Sequence, residues 1–144
     1  LERAQIYMNN DQARNAMLDY DAYYKAVNGQ VNDLFYYYRE QAALKARQYQ
    51  RALDDIVKAV ELSPKDLTYR AEHAVVNLRV GRYEESMKIL NEILKDEPKY
   101  GEAYRLLGLC QIQLKKTDEA CGNFNKAKEL GDPNVDELIK KYCK

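Results

Sequence analysis

Residues that commonly carry chemistry are scarce here: one histidine, His73, and three cysteines, Cys110, Cys121 and Cys143. A histidine-based triad would need every partner to converge on His73, and no pattern in the sequence brings them there. His73 lies on a mostly apolar stretch and is expected to be a packed or partly exposed structural residue. No phosphate-cradling glycine loop, HExxH helix or paired CxxC pattern occurs. No catalytic residue, metal ligand or cofactor is therefore expected, and the chain does not read as an enzyme. The odd number of cysteines leaves two readings open: three small, reduced apolar residues, or one bonded pair and one free thiol.

Tyrosine is abundant, 13 in all, and concentrated at Tyr20, Tyr23, Tyr24, Tyr36, Tyr37 and Tyr38. Aromatic rings supply large buried area with a hydroxyl that reaches the edge. At least half of this cluster is expected to fill a core, and Tyr37 and Tyr38 to serve as binding anchors. Lys plus Arg and Asp plus Glu are equal at 23 each, so no long-range field draws the chain to a phosphate backbone, and nucleic acid is not an expected partner. No run of about 18 apolar residues spans a bilayer, so no membrane insertion is expected. The first residues, Leu1-Glu2-Arg3-Ala4, lack an initiator Met, which leaves room upstream for a signal sequence, an anchor or further repeats.

These residues must be positioned by helices. Good helix formers dominate, with three prolines and six glycines. A step of 34 residues carries Pro64 to Pro98, Tyr49 to Tyr83, Ala52 to Ser86 to Ala120, Ile56 to Leu90 to Phe124, and Ala59 to Ile93 to Ala127. Within each unit the spacing is helical, as in Ala120, Phe124 and Ala127. Breaks at Arg47-Gln48, Gly81-Arg82 and Lys115-Lys116 divide each unit into two antiparallel helices. Helices are expected at about 2–10, 13–27, 31–46, 49–62, 67–80, 83–96, 101–114, 117–130 and 134–143. Ser63-Pro64, Glu97-Pro98 and Gly131-Asp132-Pro133 separate successive pairs.

The sequence at this point resembles the tetratricopeptide repeat family. Gly101-Glu102-Ala103-Tyr104, Leu107-Gly108, Asp118-Glu119-Ala120, Phe124, Ala127 and Leu130 carry the resemblance most clearly. Ala74, Gly81-Arg82-Tyr83, Leu90 and Pro98 carry it in the unit before, and Tyr36, Tyr49, Ala52, Ile56, Ala59 and Pro64 in the one before that. Arg39 and His73 depart from it, standing where the family places leucine, and so does Glu40, where a small residue is usual. The resemblance implies an all-α fold, a right-handed superhelical array of antiparallel helix pairs, as a single domain over 1–144. A partial repeat would occupy 1–30, repeats about 33–66, 67–100 and 101–132, and a capping helix 134–143.

It also implies that first helices line a concave groove. Tyr37, Tyr38, Gln41 and Lys45 would then face a partner, with Glu72, Val75, Arg79, Arg105 and Leu109, while Leu44, Leu78 and Ile112 on the same stripes pack against neighbouring helices. The expected function is a protein–protein interaction scaffold that binds a peptide or partner protein. A structural spacer, a homodimer through the N-terminal helices, and a regulatory region of a larger protein are the alternatives. Some family members grip a partner's C-terminal carboxylates with Lys, Arg and Asn. Tyr37, Gln41, Glu72, Glu102 and Leu106 stand at those places and cannot make that clamp.

Cys121 and Cys143 each lie 11 residues from Asp132, which a hairpin of the last two helices would bring level. Cys110 could reach Cys121 across the preceding turn, so two bonds compete for one sulfur, and Cys121–Cys143 is favoured because it would pin a terminal helix. A bond would imply export to an oxidising compartment; three free thiols would imply the cytoplasm.

Overall fold

The computed structural model describes residues 12–144. Among them are eight helices and no strand: α1 (Ala13–Ala26), α2 (Asp33–Lys45), α3 (Tyr49–Leu62), α4 (Leu67–Arg79), α5 (Tyr83–Asp96), α6 (Gly101–Gln113), α7 (Thr117–Glu129) and α8 (Asp136–Tyr142). The helix expected at 2–10 lies outside the described residues. None of the described helices is long and apolar enough to cross a membrane.

The 34-residue step reappears in the backbone. Arg47, Gly81 and Lys115 all adopt positive φ, at 60°, 85° and 62°. Each follows the first helix of a pair, and the next residue returns a bond five residues back: Gln48 N–H to the Ala43 carbonyl, Arg82 to Asn77, and Lys116 to Gln111, each 2.8 Å. This left-handed C-terminal turn satisfies carbonyls that the ending helix would otherwise strand. Glycine is the usual residue for it, yet Arg and Lys hold two of the three places, so the turn itself, rather than residue type, is repeated.

Two expected ends shift for local reasons. α2 starts at Asp33 because Asn32 caps it, its Oδ1 accepting from the Phe35 N–H at 3.0 Å. α8 starts at Asp136, two residues later than expected, because the Asp132 carboxylate accepts the Asn134 N–H at 2.7 Å and holds that stretch as a turn.

The chain forms two compact units, unit one up to Tyr69 and unit two from Arg70. In unit one α2 packs on α3 through Ala42, Ala43, Ala52, Ile56 and Ala59, all fully buried. Small residues let the two helices approach closely. Arg39, at a place where the family has leucine, is not left bare. Its guanidinium makes two 2.8 Å bonds to Asp55, approaches Asp21 at 3.4 Å, and sits 4.8 Å from the Tyr24 ring centre and 5.1 Å from that of Phe35. Burial pushes the Asp55 carboxyl upward, and Arg39 pulls it back. Of the clustered tyrosines Tyr20 alone is fully buried; Tyr24, Tyr36, Tyr37 and Tyr38 are half-buried and Tyr23 is exposed.

At the matching helix contact unit two uses size rather than charge. A Cβ at Gly108 would lie 2.4 Å from the Phe124 ring, so glycine is required for α6 and α7 to meet. Ser86 Oγ donates to the Ala74 carbonyl at 2.7 Å, and the fully buried Cys110 thiol lies 3.4 Å from Ser86 Oγ. The short α8 has no buried residue of its own. Val135, just before it, is fully buried against Ala120, Phe124 and Ala127, and Tyr142 stacks on Phe124 with ring centres 6.4 Å apart. A disulfide joins Cys121 to Cys143, with Cα atoms 5.8 Å apart.

Candidate functional site

In unit one the stripe expected to face a partner lies on α2. Tyr37, Tyr38 and Gln41 are half-buried and Lys45 is exposed. Tyr37 is held between two other rings, its centre 5.7 Å from Tyr38 and 5.2 Å from Tyr69. Tyr69 is itself anchored: burial, then its bond to the Asp33 carboxylate, push its phenol up to about 12, so it stays neutral. Asp33 in turn accepts from Ser63 Oγ at 2.8 Å, a bond that heads the causes lowering its carboxyl. The start of α2 and the turn after α3 are thus tied through one carboxylate, and the rings on α2 inherit that fixed position.

In unit two Glu72 and Val75 are half-buried and Arg79 is exposed on α4, while Arg105 and Leu109 are half-buried on α6. Arg105 differs from the others. Its Nε lies 3.1 and 3.2 Å from the two oxygens of Asp132, a side chain only 3% exposed, and its Nη2 lies 3.8 Å from Glu102. The guanidinium secures the turn before α8, so its charge is largely committed inside the unit. Leu109 and Ile112 pack against the Ala120, Phe124 and Ala127 cluster.

The groups able to do covalent chemistry are poorly placed for it. Burial raises the Cys110 thiol and removes it from solvent. Burial lowers His73, with Glu85 opposing. Among the described residues no group of His, Cys, Asp and Glu could hold a metal ion. The stripes offer ring faces, amides and a few charges, which suit noncovalent contact. Sequence reasoning missed the Arg39 network, whose only signal was an arginine at an otherwise apolar helical position.

Residues 9–93 match a family model described as anaphase-promoting complex, cyclosome, subunit 3, and residues 72–135 match the tetratricopeptide repeat model. The chain belongs to the tetratricopeptide repeat family. It is 29% identical over 99 residues to small glutamine-rich tetratricopeptide repeat-containing protein 2 of Mycosarcoma maydis, over 69% of this chain and 28% of that protein. The chain thus spans less than a third of that relative's length. Among solved tetratricopeptide structures, YrrB, a protein with an unusual peptide-binding site, is similar at a TM-score of 0.78 and 19% identity, over 96% of this chain and 71% of that one. The first such domain of Spaghetti (RPAP3), bound to the HSP90 peptide SRMEEVD, is similar at 0.67 and 19%, over 77% and 90%. At these identities the structures bear on the fold, an all-α tetratricopeptide solenoid.

Proposed function

We propose that this tetratricopeptide domain holds another polypeptide by contact alone, without catalysis, along its first-helix faces. The faces are Tyr37, Tyr38, Gln41 and Lys45 in unit one, and Glu72, Val75, Arg79, Arg105 and Leu109 in unit two. One observation carries the reading. These residues keep part of their surface in water on helices whose other faces are closed, as Phe35, Ala42, Ala43, Ala71, Ala74 and Ala103 are. Such half-covered rings and charges suit an extended or helical segment of mixed character.

The acidic peptide seen on the Spaghetti domain is not the partner chemistry favoured here. Glu72 and Glu102 would repel carboxylates, and Leu106 is 3% exposed. The Cys121–Cys143 bond favours an oxidising compartment. Counting thiols in denatured protein from its native cells should find one, Cys110; three would remove both the bond and the exported location.

The test of the binding faces is a peptide selected from a random displayed library on the full chain. Replacing Tyr37 and Arg79 together by Ala should weaken it at least ten-fold with an unchanged circular dichroism spectrum. Equal affinity in the folded variant refutes the assignment. Arg105 is left in place because its loss would strand Asp132.

A further inference from the structure

Unit one carries an open cleft of about 520 Å³ whose apolar lining is Tyr23, Val31, Leu34, Phe35 and Tyr38. We propose that it is an anchor pocket for one neutral aromatic or branched aliphatic side chain of an extended peptide. The proposal rests on the peptide-holding reading and names the partner's chemistry.

Charge is the first argument. Charged residues make up 32% of the chain, yet among the described residues none lines this cleft; the other described lining groups are the amides of Gln30 and Asn32. A charged side chain entering it would lose hydration and gain no counter-ion, whereas a neutral one loses little. Exposure is the second. The described residues include four exposed large hydrophobics, and two of them, Tyr23 at 39% and Leu34 at 42%, stand together here. Two such side chains on one concavity form a patch that a ligand would cover, unlike single scattered ones.

The third argument is that the wall is already in place. Phe35 is fixed edge-on by Tyr20 at 5.6 Å and flanked by Tyr23 at 5.8 Å and Tyr24 at 6.0 Å. A pocket that needs no ordering on binding loses less of its contact energy. Gln30, exposed at the cleft, can meet the peptide backbone.

The test titrates the ¹⁵N-labelled full chain with N-acetyl-phenylalaninamide, N-acetyl-leucinamide and the amide of N-acetyl-glutamic acid. Saturable shifts at the amides of Tyr23, Val31, Leu34 and Tyr38 are expected with the first two and none with the third. Leu34→Asn, at an exposed position, should weaken the neutral probes at least ten-fold with an unchanged spectrum elsewhere; Tyr23→Asn serves if that variant does not fold. Absent saturation, an equal response to the acidic probe, or undiminished affinity in a folded variant overturns the pocket. If the library-selected peptide still binds in that case, the pocket falls and the scaffold stands. If the probes bind but no peptide can be selected, the peptide-holding reading falls and the anchor with it. A wild-type dimer that Leu34→Asn dissociates would make a second copy the occupant and overturn the proposal.

Discussion

Unit one and unit two solve the same packing problem with opposite materials. At one register position the three first helices carry Glu40, Ala74 and Gly108, and at the position 16 residues on, in the second helices, Ile56, Leu90 and Phe124. All six are buried. Ile56 and Leu90 are isomers of equal size, but where the first helix gives up its last side-chain carbon, from Ala74 to Gly108, the second gains bulk, from Leu90 to Phe124, so within unit two volume is exchanged across the close contact. The neighbouring position repeats the contrast in polarity: Arg39, His73 and Leu107. A 34-residue backbone therefore tolerates a charged, a titratable or an apolar residue at one place, provided something on the second helix answers it. Asp55 answers Arg39. The teaching is that the repeat specifies a shape, and chemistry at the interface is negotiable.

The strongest way to break this view is to remove one answer. Arg39 is 12% exposed and Asp55 6%, so Asp55→Leu alone should cost about 3–5 kcal/mol in urea unfolding, because it leaves a buried guanidinium short of its main partner. Arg39→Leu with Asp55→Leu should recover most of that loss, since a buried pair is often replaceable by apolar residues of similar volume. A single variant costing under about 1 kcal/mol would show the pair to be peripheral.

Next in size is the clasp of unit two. The disulfide closes a segment with a sequence separation of 22, and cross-links of this span contribute about 3 kcal/mol. Cys121→Ser with Cys143→Ser should lower stability by that order and expose the amides of α8 to hydrogen exchange first, because α8 buries nothing itself. Gly108→Leu comes third, at about 1–3 kcal/mol of overpacking, and adding Phe124→Leu should restore part of it. No recovery in the double variant would mean that the exchange of volume between helices is coincidental.

How much of this was legible depended on range. The breaks at Arg47, Gly81 and Lys115 were readable because a repeated step marks them without any tertiary knowledge. That Tyr37, Tyr38, Gln41 and Lys45 share one face of α2 followed from helical spacing, whereas the expectation that this face meets a partner came from the family resemblance. Spacing names a face, however, and not which neighbour takes hold of a side chain on it. Arg105 illustrates this: the stripe placed it toward a partner, and Asp132, 27 residues on, holds it within the unit. Arg39 was invisible as a network centre for the same reason, its partners lying 16 and 18 residues away. The cleft at Tyr23 and Leu34 draws on α1, the following turn and α2 together, and no single periodicity contains it.

The smallest effect tests the middle of the series Arg39, His73, Leu107. Burial lowers the His73 imidazole below its ordinary value of 6.5, and the nearby Glu85 only partly opposes this. The folded protein therefore binds fewer protons at this site than the unfolded chain does. Stability contributed here is fully present above about pH 6.5 and is lost as pH falls through the lowered value. The wild type should accordingly melt at a lower temperature at pH 5 than at pH 7, and His73→Gln should flatten that part of the dependence while changing little at pH 7.5. If the slope persists unchanged in the variant, other groups carry it and burial of His73 is too slight to matter. If the slope is reduced, the α4–α5 repeat carries a proton-sensitive seam where Leu107 stands in the next repeat, and His73→Leu should remove the sensitivity just as fully, since the second helix would then meet an apolar side chain at every pH.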